Sequence, residues 1–267
     1  MRYCRFLWPS KGGGTPQYGL VESVAGKDRV TQLLPPFPEE HWLRQAKDFS
    51  ARELAELELL APVAPGKVVC VGRNYREHAN ELGSDVPKEP LIFLKAASAV
   101  IAPGQAIVIP PAELTQRVDY EGEIAFVIGK RCRNLRDGED VRPYIRGYTC
   151  ANDVTARDLQ KKDGQWARAK GFDTFCPVGP VVSDEIDPFH APVEVTTHLN
   201  GELKQRGNSG EFIFTIDAVL RFITAFATLE PGDLILTGTP AGVSPMKAGD
   251  VVEVSIPGVG TLKNPVG

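Results

Sequence analysis

Hydrophobic positions along this chain fall into many short runs broken by glycine and proline. Runs rich in β-branched and aromatic residues predict strands at Lys67–Gly72, Leu91–Lys95, Ala106–Ile109, Glu123–Ile128, Ile145–Asn152, Val178–Val182, Val193–Leu199, Asp233–Thr237 and Asp250–Ser255. Helical spacing is rarer. Ile216, Val219, Leu220, Ile223 and Phe226 recur on one face and predict a helix over Thr215–Phe226. Ser50, with Glu53 three residues on, has the form of a capping box and predicts a helix over Ser50–Leu60. A short helix over Tyr75–Leu82 also fits. Strands outnumber helices without regular βαβ alternation, so the expected class is α+β and β-rich. The stiff string APVAP at Ala61–Pro65 divides the chain into a small N-terminal module, residues 1–64, and a main domain, residues 65–267.

The strand signal around Glu123 starts at Tyr120, in RVDYEGEIAFVIG. Residues two apart on a strand share a face. Glu121 and Glu123 therefore stand side by side, with Gly122 on the other face. Two like charges so close are tolerable if a cation lies between them or if one is protonated. Taken alone, the pair reads first as a solvated strand face carrying two surface glutamates. Asp153 follows the predicted strand Ile145–Asn152 and precedes the helical string VTARDLQ. It is either an N-cap of that helix or a third acid beside the pair. No histidine stands near these acids at a metal-ligand spacing. An all-oxygen donor set favours Mg²⁺, Mn²⁺ or Ca²⁺ over zinc or copper.

Other strings carry candidate chemistry. In VVCVGRNYREHANELG a predicted strand ends at a glycine turn and a short helix opens. His78 and Glu81 are three apart, so they share a helical face. A carboxylate beside an imidazole fixes its tautomer and raises its basicity, as a general base requires. The plain alternative is a surface ion pair. Arg73 and Tyr75, in the polar string before them, are candidate substrate contacts. The following GSDVPKEP has the composition of a mobile segment, on which a base can close over a substrate. Lys170, in RAKGFDTFCPVGP, can bind an anion or stabilise an oxyanion, or else is a surface lysine before a turn. Thr239, in DLILTGTPAGV, ends a strand in a loop that can aim a hydroxyl and N–H groups at a carboxylate. Arg157 and Gln160 share a face of the helix after Asp153 and can grip an anion.

Composition narrows the field. The chain has 267 residues, 42% hydrophobic and 24% charged, as in an ordinary soluble globular protein. A formal net charge of -4 argues against a nucleic-acid binder held by a basic surface. No apolar run approaches a membrane span, and MRYCRFLWPSKGGG lacks a secretion signal's apolar region. Cys4, Cys70, Cys132, Cys150 and Cys176 are odd in number, widely spaced and without a CxxC, which points to reduced thiols in a cytoplasm. There is no P-loop, no GxGxxG after a strand and no GxSxG elbow.

Taken together, GRNYREHANELG, PLIFLKAASAVI, DYEGEIAFVIGK, GYTCANDVTARDLQ, AKGFDTFCPVGP, LNGELKQ and LEPGDLILTGTPAGVSPMKAGDVVEV resemble the fumarylacetoacetate hydrolase family. They run in family order from Val68 to the C-terminus. The resemblance implies a mixed β-roll around one metal site, with Glu121, Glu123 and Asp153 holding Mg²⁺, Mn²⁺ or Ca²⁺. It implies that His78 and Glu81 are a water-activating dyad on a lid, that Lys170 is the active-site lysine and that Thr239 lies in the substrate-carboxylate loop. It also points to a homodimer. One departure is Ala96, where family members commonly carry proline after the lysine corresponding to Lys95.

The expected activity is metal-dependent hydrolysis of a carbon–carbon bond in an acylpyruvate-type 1,3-dioxo acid, by water attack and departure of a stabilised enolate. Decarboxylation of a 2-oxo acid such as oxaloacetate, and isomerisation of 5-carboxymethyl-2-hydroxymuconate, use the same site chemistry, and fold analogy does not choose among them. A non-catalytic β domain that binds a divalent ion accounts for the acids but not for His78–Glu81, Lys170 and TGTP together. Turnover of any dioxo acid discriminates the two classes.

Overall fold

The computed structural model describes residues 1–9, 14–34, 49–81, 83 and 85–267. At the N-terminus, strands β1 (Arg2–Trp8), β2 (Thr15–Val24) and β3 (Lys27–Leu34) form an antiparallel meander that the apolar pattern did not single out. Two short strands, β4 (Arg52–Glu53) and β5 (Leu59–Leu60), pair with β3 and β1 respectively. They replace the helix predicted over Ser50–Leu60, of which only a 3-10 turn at Leu54–Glu56 is helical. Glu53 caps nothing: its carboxylate meets Lys27 at 2.9 Å and Arg29 at 3.1 Å. Pairing with β1 and β3 outweighs a weak local preference.

Residues 65–267 supply β6 (Val68–Gly72), β7 (Leu91–Lys95), β8 (Val100–Ile101), β9 (Val118–Asp119), β10 (Gly122–Ile128) and β11 (Ile145–Asn152). β12 (Thr155–Ala156), β13 (Cys176–Ser183), β14 (Glu194–Leu199) and β15 (Glu202–Asn208) follow. The last strands are β16 (Leu234–Leu236), β17 (Val251–Ile256) and β18 (Gly260–Pro265). The helices are α1 (Arg76–Glu81), α2 (Arg157–Asp163), α3 (Ala167–Gly171) and α4 (Ile216–Phe226). Helix α4 forms where its apolar spacing predicted, and the Thr215 hydroxyl caps it. For the helix expected over Tyr75–Leu82, Leu82 lies outside the described residues, as does Ser84 of GSDVPKEP. The strand expected at Ala106–Ile109 is reduced to one bridge, Ile107 to Val266. Pro110 and Pro111 follow it directly and cannot donate to a ladder.

The main sheet runs β4-β3-β2-β1-β13-β11-β10-β16-β6-β7, with β5 beside β1 and β8 beside β13. Its long pairs are antiparallel except β16 with β6. A second antiparallel sheet has the order β15-β14-β17-β18. Strand β10 is buried on both faces, which is why it reads as an apolar run rather than an alternation. Ile124, Phe126 and Ile128 join a core with Val195 and Val254 of the second sheet and with Val219, Leu220 and Ile223 of α4. Ala125 and Val127 join another core with Val68, Cys70, Leu234 and Leu236. Full burial of each large apolar side chain contributes on the order of 1.5–3 kcal/mol, so β10 is a firm base for what its N-terminal end carries. Among the described residues no helix is long and apolar enough to cross a membrane.

Candidate active site

The register of β10 on β11 pairs Gly122 with Asn152 and Glu123 with Ala151. Continued one step beyond the strands, it sets Glu121 opposite Asp153, and the Asp153 N–H donates to the Glu121 carbonyl at 2.8 Å. Residues opposite one another in an antiparallel pair share a face. Glu121, Glu123 and Asp153 thus converge, with ligand oxygens all within 4.8 Å of one another, and all three are buried. Gly122 faces the other way, where a Cβ would lie 1.9 Å from the Thr197 hydroxyl oxygen. Only glycine lets the second sheet come so close behind the acids. The cap alternative for Asp153 falls, because α2 begins later and its N-cap is Ala156.

Cations meet these acids unequally. Lys170 Nζ donates to Glu121 at 2.8 Å and to Asp153 at 2.6 Å, and lies over the Phe93 ring. Lys95 Nζ donates to the other Asp153 oxygen at 2.6 Å. Arg157 donates to Glu121 at 2.5 Å, to Asp119 at 2.9 Å and to Gln160 at 2.6 Å. Burial pushes the Glu121 carboxyl up, but Lys170, Arg157 and His78 together outweigh it and hold the group below the usual carboxylate range. Glu123 has no ion-pair partner among the described residues, and the charge of Lys170 and the Gly238 N–H help it too little. Burial, then the charges of Asp153 and Glu121, push its carboxyl well above the ordinary value. Burial also works against the Lys170 ammonium, yet Asp153 and Glu121 more than offset it and raise its pKa.

Three crowded carboxylates, one of them without an ion-pair partner among the described residues, fit a hard divalent cation: the donors are all oxygen and the deficit is one of positive charge. Glu121, Glu123 and Asp153 are the residues that would hold it.

His78 lines the same small cavity, of about 20 Å³. Its Nδ1 lies 3.2 Å from Glu81, whose other oxygen accepts the Gly242 N–H at 3.0 Å. Burial is the main influence on the imidazole and holds it below its ordinary pKa despite Glu121 and Glu81, so it stays neutral and able to accept a proton. Lys170, Gln160, Arg73 and Thr239 line the cavity as well. The Thr239 hydroxyl is occupied, donating to the Gly122 carbonyl at 2.9 Å and accepting from Gln205 at 2.8 Å. The Thr237 hydroxyl donates to the Ile124 carbonyl at 2.7 Å. Both hydroxyls of the TGTP loop therefore tie it to the strand bearing the acids. Tyr75 is buried against Phe212 and is not among the cavity-lining residues.

Sequence reasoning missed Lys95, Asp119 and Trp166. Lys95 was discoverable, since Phe93 and Lys95 alternate on one face of β7. Asp119 is paired by Arg117 and Arg157 and reaches the site only through Arg157. All five cysteines are buried and free, and burial pushes the thiols of Cys150 and Cys176 up to about 12, as expected of inert thiols.

Comparison with known proteins places this geometry in context. Residues 67–267 match the model described as Fumarylacetoacetate (FAA) hydrolase C-terminal, and residues 1–62 match Rv2993c-like, N-terminal. The chain is 50% identical to Protein Rv2993c of Mycobacterium tuberculosis, over 80% of this chain and 80% of that one. It is 38% identical to Oxaloacetate tautomerase YisK of Bacillus subtilis, over 93% of this chain and 86% of that one. A solved structure described as 5-carboxymethyl-2-hydroxymuconate delta-isomerase from Mycobacterium smegmatis superposes with a TM-score of 0.84 at 39% identity, covering 100% of this chain and 98% of that one.

Proposed function

The chain belongs to the fumarylacetoacetate hydrolase family, whose members are enzymes, and from that premise we propose that it moves a proton on the carbon beside the carbonyl of a 2-oxo acid. The favoured reaction is keto–enol interconversion of a dicarboxylic 2-oxo acid of the oxaloacetate kind. The observation that carries this reading is the placement of His78, oriented by Glu81, in one cavity with the three acids and Lys170. The likeness to Oxaloacetate tautomerase YisK, over 93% of this chain, supports it.

With Nδ1 turned to Glu81, Nε2 is the nitrogen that accepts a proton from the substrate's C3. The C–H electron pair becomes the new C=C bond and the carbonyl π pair moves to oxygen. The buried Lys170 ammonium stabilises that oxygen. His78 then returns the proton to it, giving the enol, and the reverse path restores the ketone. Mg²⁺ or Mn²⁺ held by Glu121, Glu123 and Asp153 supplies Lewis-acid polarisation of neighbouring substrate oxygens when bound.

Hydrolytic cleavage of an acylpyruvate is the second reading. The cavity beside His78 has room for the centre of about one water. His78 would deprotonate that water and the hydroxide would add to the distal carbonyl; the carbon–carbon bond would then break, its electron pair leaving as the pyruvate enolate, which would take the proton back from His78 to give pyruvate beside the carboxylic acid.

Both readings meet one experiment. Enol oxaloacetate and acetylpyruvate are supplied to the protein with Mg²⁺, following enol absorbance and products by mass. Faster enol decay that is lost in His78→Ala supports the tautomerase. Enol decay at the solvent rate, with acetylpyruvate cleaved to acetate and pyruvate, transfers the assignment to the hydrolase.

A further inference from the structure

Beyond the inner cavity lies an outer one of about 630 Å³, and Arg73, Gln160 and Trp166 line both. The outer wall carries several cations, most of them already engaged. Arg117 is bidentate on Asp119 at 2.9 and 3.1 Å. Arg157 is held by Asp119, Glu121 and Gln160. Lys161 lines only the outer cavity and is exposed. Arg73 differs from all of these. Among the described residues its guanidinium has no hydrogen-bond or ion-pair partner, and its Nε is buried and unsatisfied. Leaving a buried donor of a charged group unmade is costly.

The local structure presents Arg73 in this way. It follows the last residue of β6 and has φ of 56°, the left-handed region that a long side chain seldom adopts. Its guanidinium lies 5.8 Å from the centre of the Trp166 ring. Trp166 in turn packs edge-on to Phe93 at 5.2 Å and against Gly72, where a Cβ would lie 2.8 Å from the indole. An aromatic face holds a guanidinium while leaving its in-plane donors free. The planar fork is suited to bidentate recognition of a carboxylate.

We propose that Arg73 is the specificity residue for the distal carboxylate of a dianionic 2-oxo acid, received at the junction of the two cavities. This rests on the reading that the 2-oxo end of the substrate lies at Glu121, Glu123 and Asp153. Lys95, Lys170 and Arg157 are already held by Asp153, Glu121 and Asp119, so a second substrate carboxylate needs an uncommitted cation. Among the described residues, Arg73 is the arginine or lysine that lines the inner cavity without an acidic partner. A monoanionic 2-oxo acid makes no use of it.

The test is calorimetry of the Mg²⁺-loaded protein with 2-oxoglutarate and with 2-oxovalerate, stable probes that differ in a terminal carboxylate. The wild type should bind the diacid more tightly. Arg73→Gln should weaken 2-oxoglutarate by roughly ten- to hundredfold, the worth of charge-assisted hydrogen bonds, while 2-oxovalerate changes by less than about threefold. Arg73→Lys should fall between, keeping charge but losing the fork and the stacking. A preference for the diacid that survives in Arg73→Gln overturns the proposal, and so does equal weakening of both ligands. Wild-type binding of 2-oxovalerate that is unaffected by Glu123→Gln has a different signature. It removes the reading of the acids as the 2-oxo site, and the proposal goes with it.

Discussion

The Glu123 carboxylate accepts the backbone N–H of Gly238 at 2.7 Å, and among the described residues it has no ion-pair partner. Its neighbours are better supplied, Glu121 by Lys170 and Arg157, and Asp153 by Lys95 and Lys170. Glu123 is therefore the acid whose charge most needs a cation. Glu123→Gln should weaken Mg²⁺ binding by more than the roughly 10–100-fold that loss of an outer hydrogen-bond partner costs. The amide keeps an acceptor for Gly238 and removes like-charge repulsion, so the metal-free variant should melt no lower than the wild type. Mg²⁺ at about 100 times its dissociation constant should stabilise the wild type by about 2.7 kcal/mol and the variant hardly at all. Calorimetric titration and thermal melts measure both, and equal affinity in the two proteins would sink the assignment.

Lys95 is fully buried and its ammonium meets Asp153 and the Val154 carbonyl at 2.6 and 3.1 Å. Lys95→Met leaves the acids short of one more positive charge. Breaking a buried pair from one side costs about 3–5 kcal/mol, so the metal-free variant should lose stability on that scale in urea. Saturating Mg²⁺ should restore part of it. An unchanged unfolding midpoint would show that the pair contributes no net stability.

His78→Ala should leave Mg²⁺ affinity near the wild-type value, because His78 is not one of the converging carboxylates. It should cost roughly two to four orders of magnitude in turnover, the usual worth of a general base. Glu81→Gln keeps an acceptor near Nδ1 and should cost less. Equal turnover by His78→Ala and wild type would remove the histidine from the mechanism.

Gly122→Ala would place a methyl carbon 1.9 Å from the Thr197 hydroxyl oxygen. Strand β10 must then move away from β14, carrying Glu121 and Glu123 with it. A loss of at least about 1–3 kcal/mol is expected from such overpacking. Adding Thr197→Ala removes the clashing oxygen and should recover part of the stability and of the metal affinity. The double variant melting with the single one would place the cause elsewhere.

Arg2 on β1 and Asp28 on β3 are joined by a two-armed ion pair, one arm 2.9 Å long. The Arg2 hydrogen bond, against the opposing effect of burial and with its charge assisting, holds the Asp28 carboxyl below its ordinary value. A depressed carboxyl stabilises the fold above its unfolded pKa of 3.8, and that contribution is lost as pH falls through the folded value. Asp28→Asn should therefore lose up to about 1 kcal/mol at neutral pH, solvent screening limiting the effect. The deficit should vanish in acid. Urea unfolding at both pH values tests it, and a pH-independent deficit would contradict the linkage.

Local pattern determined much of this molecule. Fully buried strands announce themselves as apolar runs, so β6, β10 and the inner part of β11 were legible, as were the half-exposed apolar run of β7 and α4 from its repeat of Ile216, Val219, Leu220 and Ile223. The pairing of Glu121 with Glu123 on one face follows from the period of a strand and needs no tertiary information. What the tertiary structure decided depends on register and on distant partners. The pairing of β10 with β11 brought Asp153 opposite Glu121 and removed its reading as a cap. Lys95 is 58 residues from the acid it holds, a separation no local rule spans. Glu53, local in its capping signal, was captured by Lys27 and Arg29 of a strand far behind it, and the predicted helix gave way to sheet edges. The acids lay in the sequence, but which of them lacks a counter-charge is a property of the assembled site. Electrostatic balance is summed over neighbours in space, and the chain order does not contain that sum.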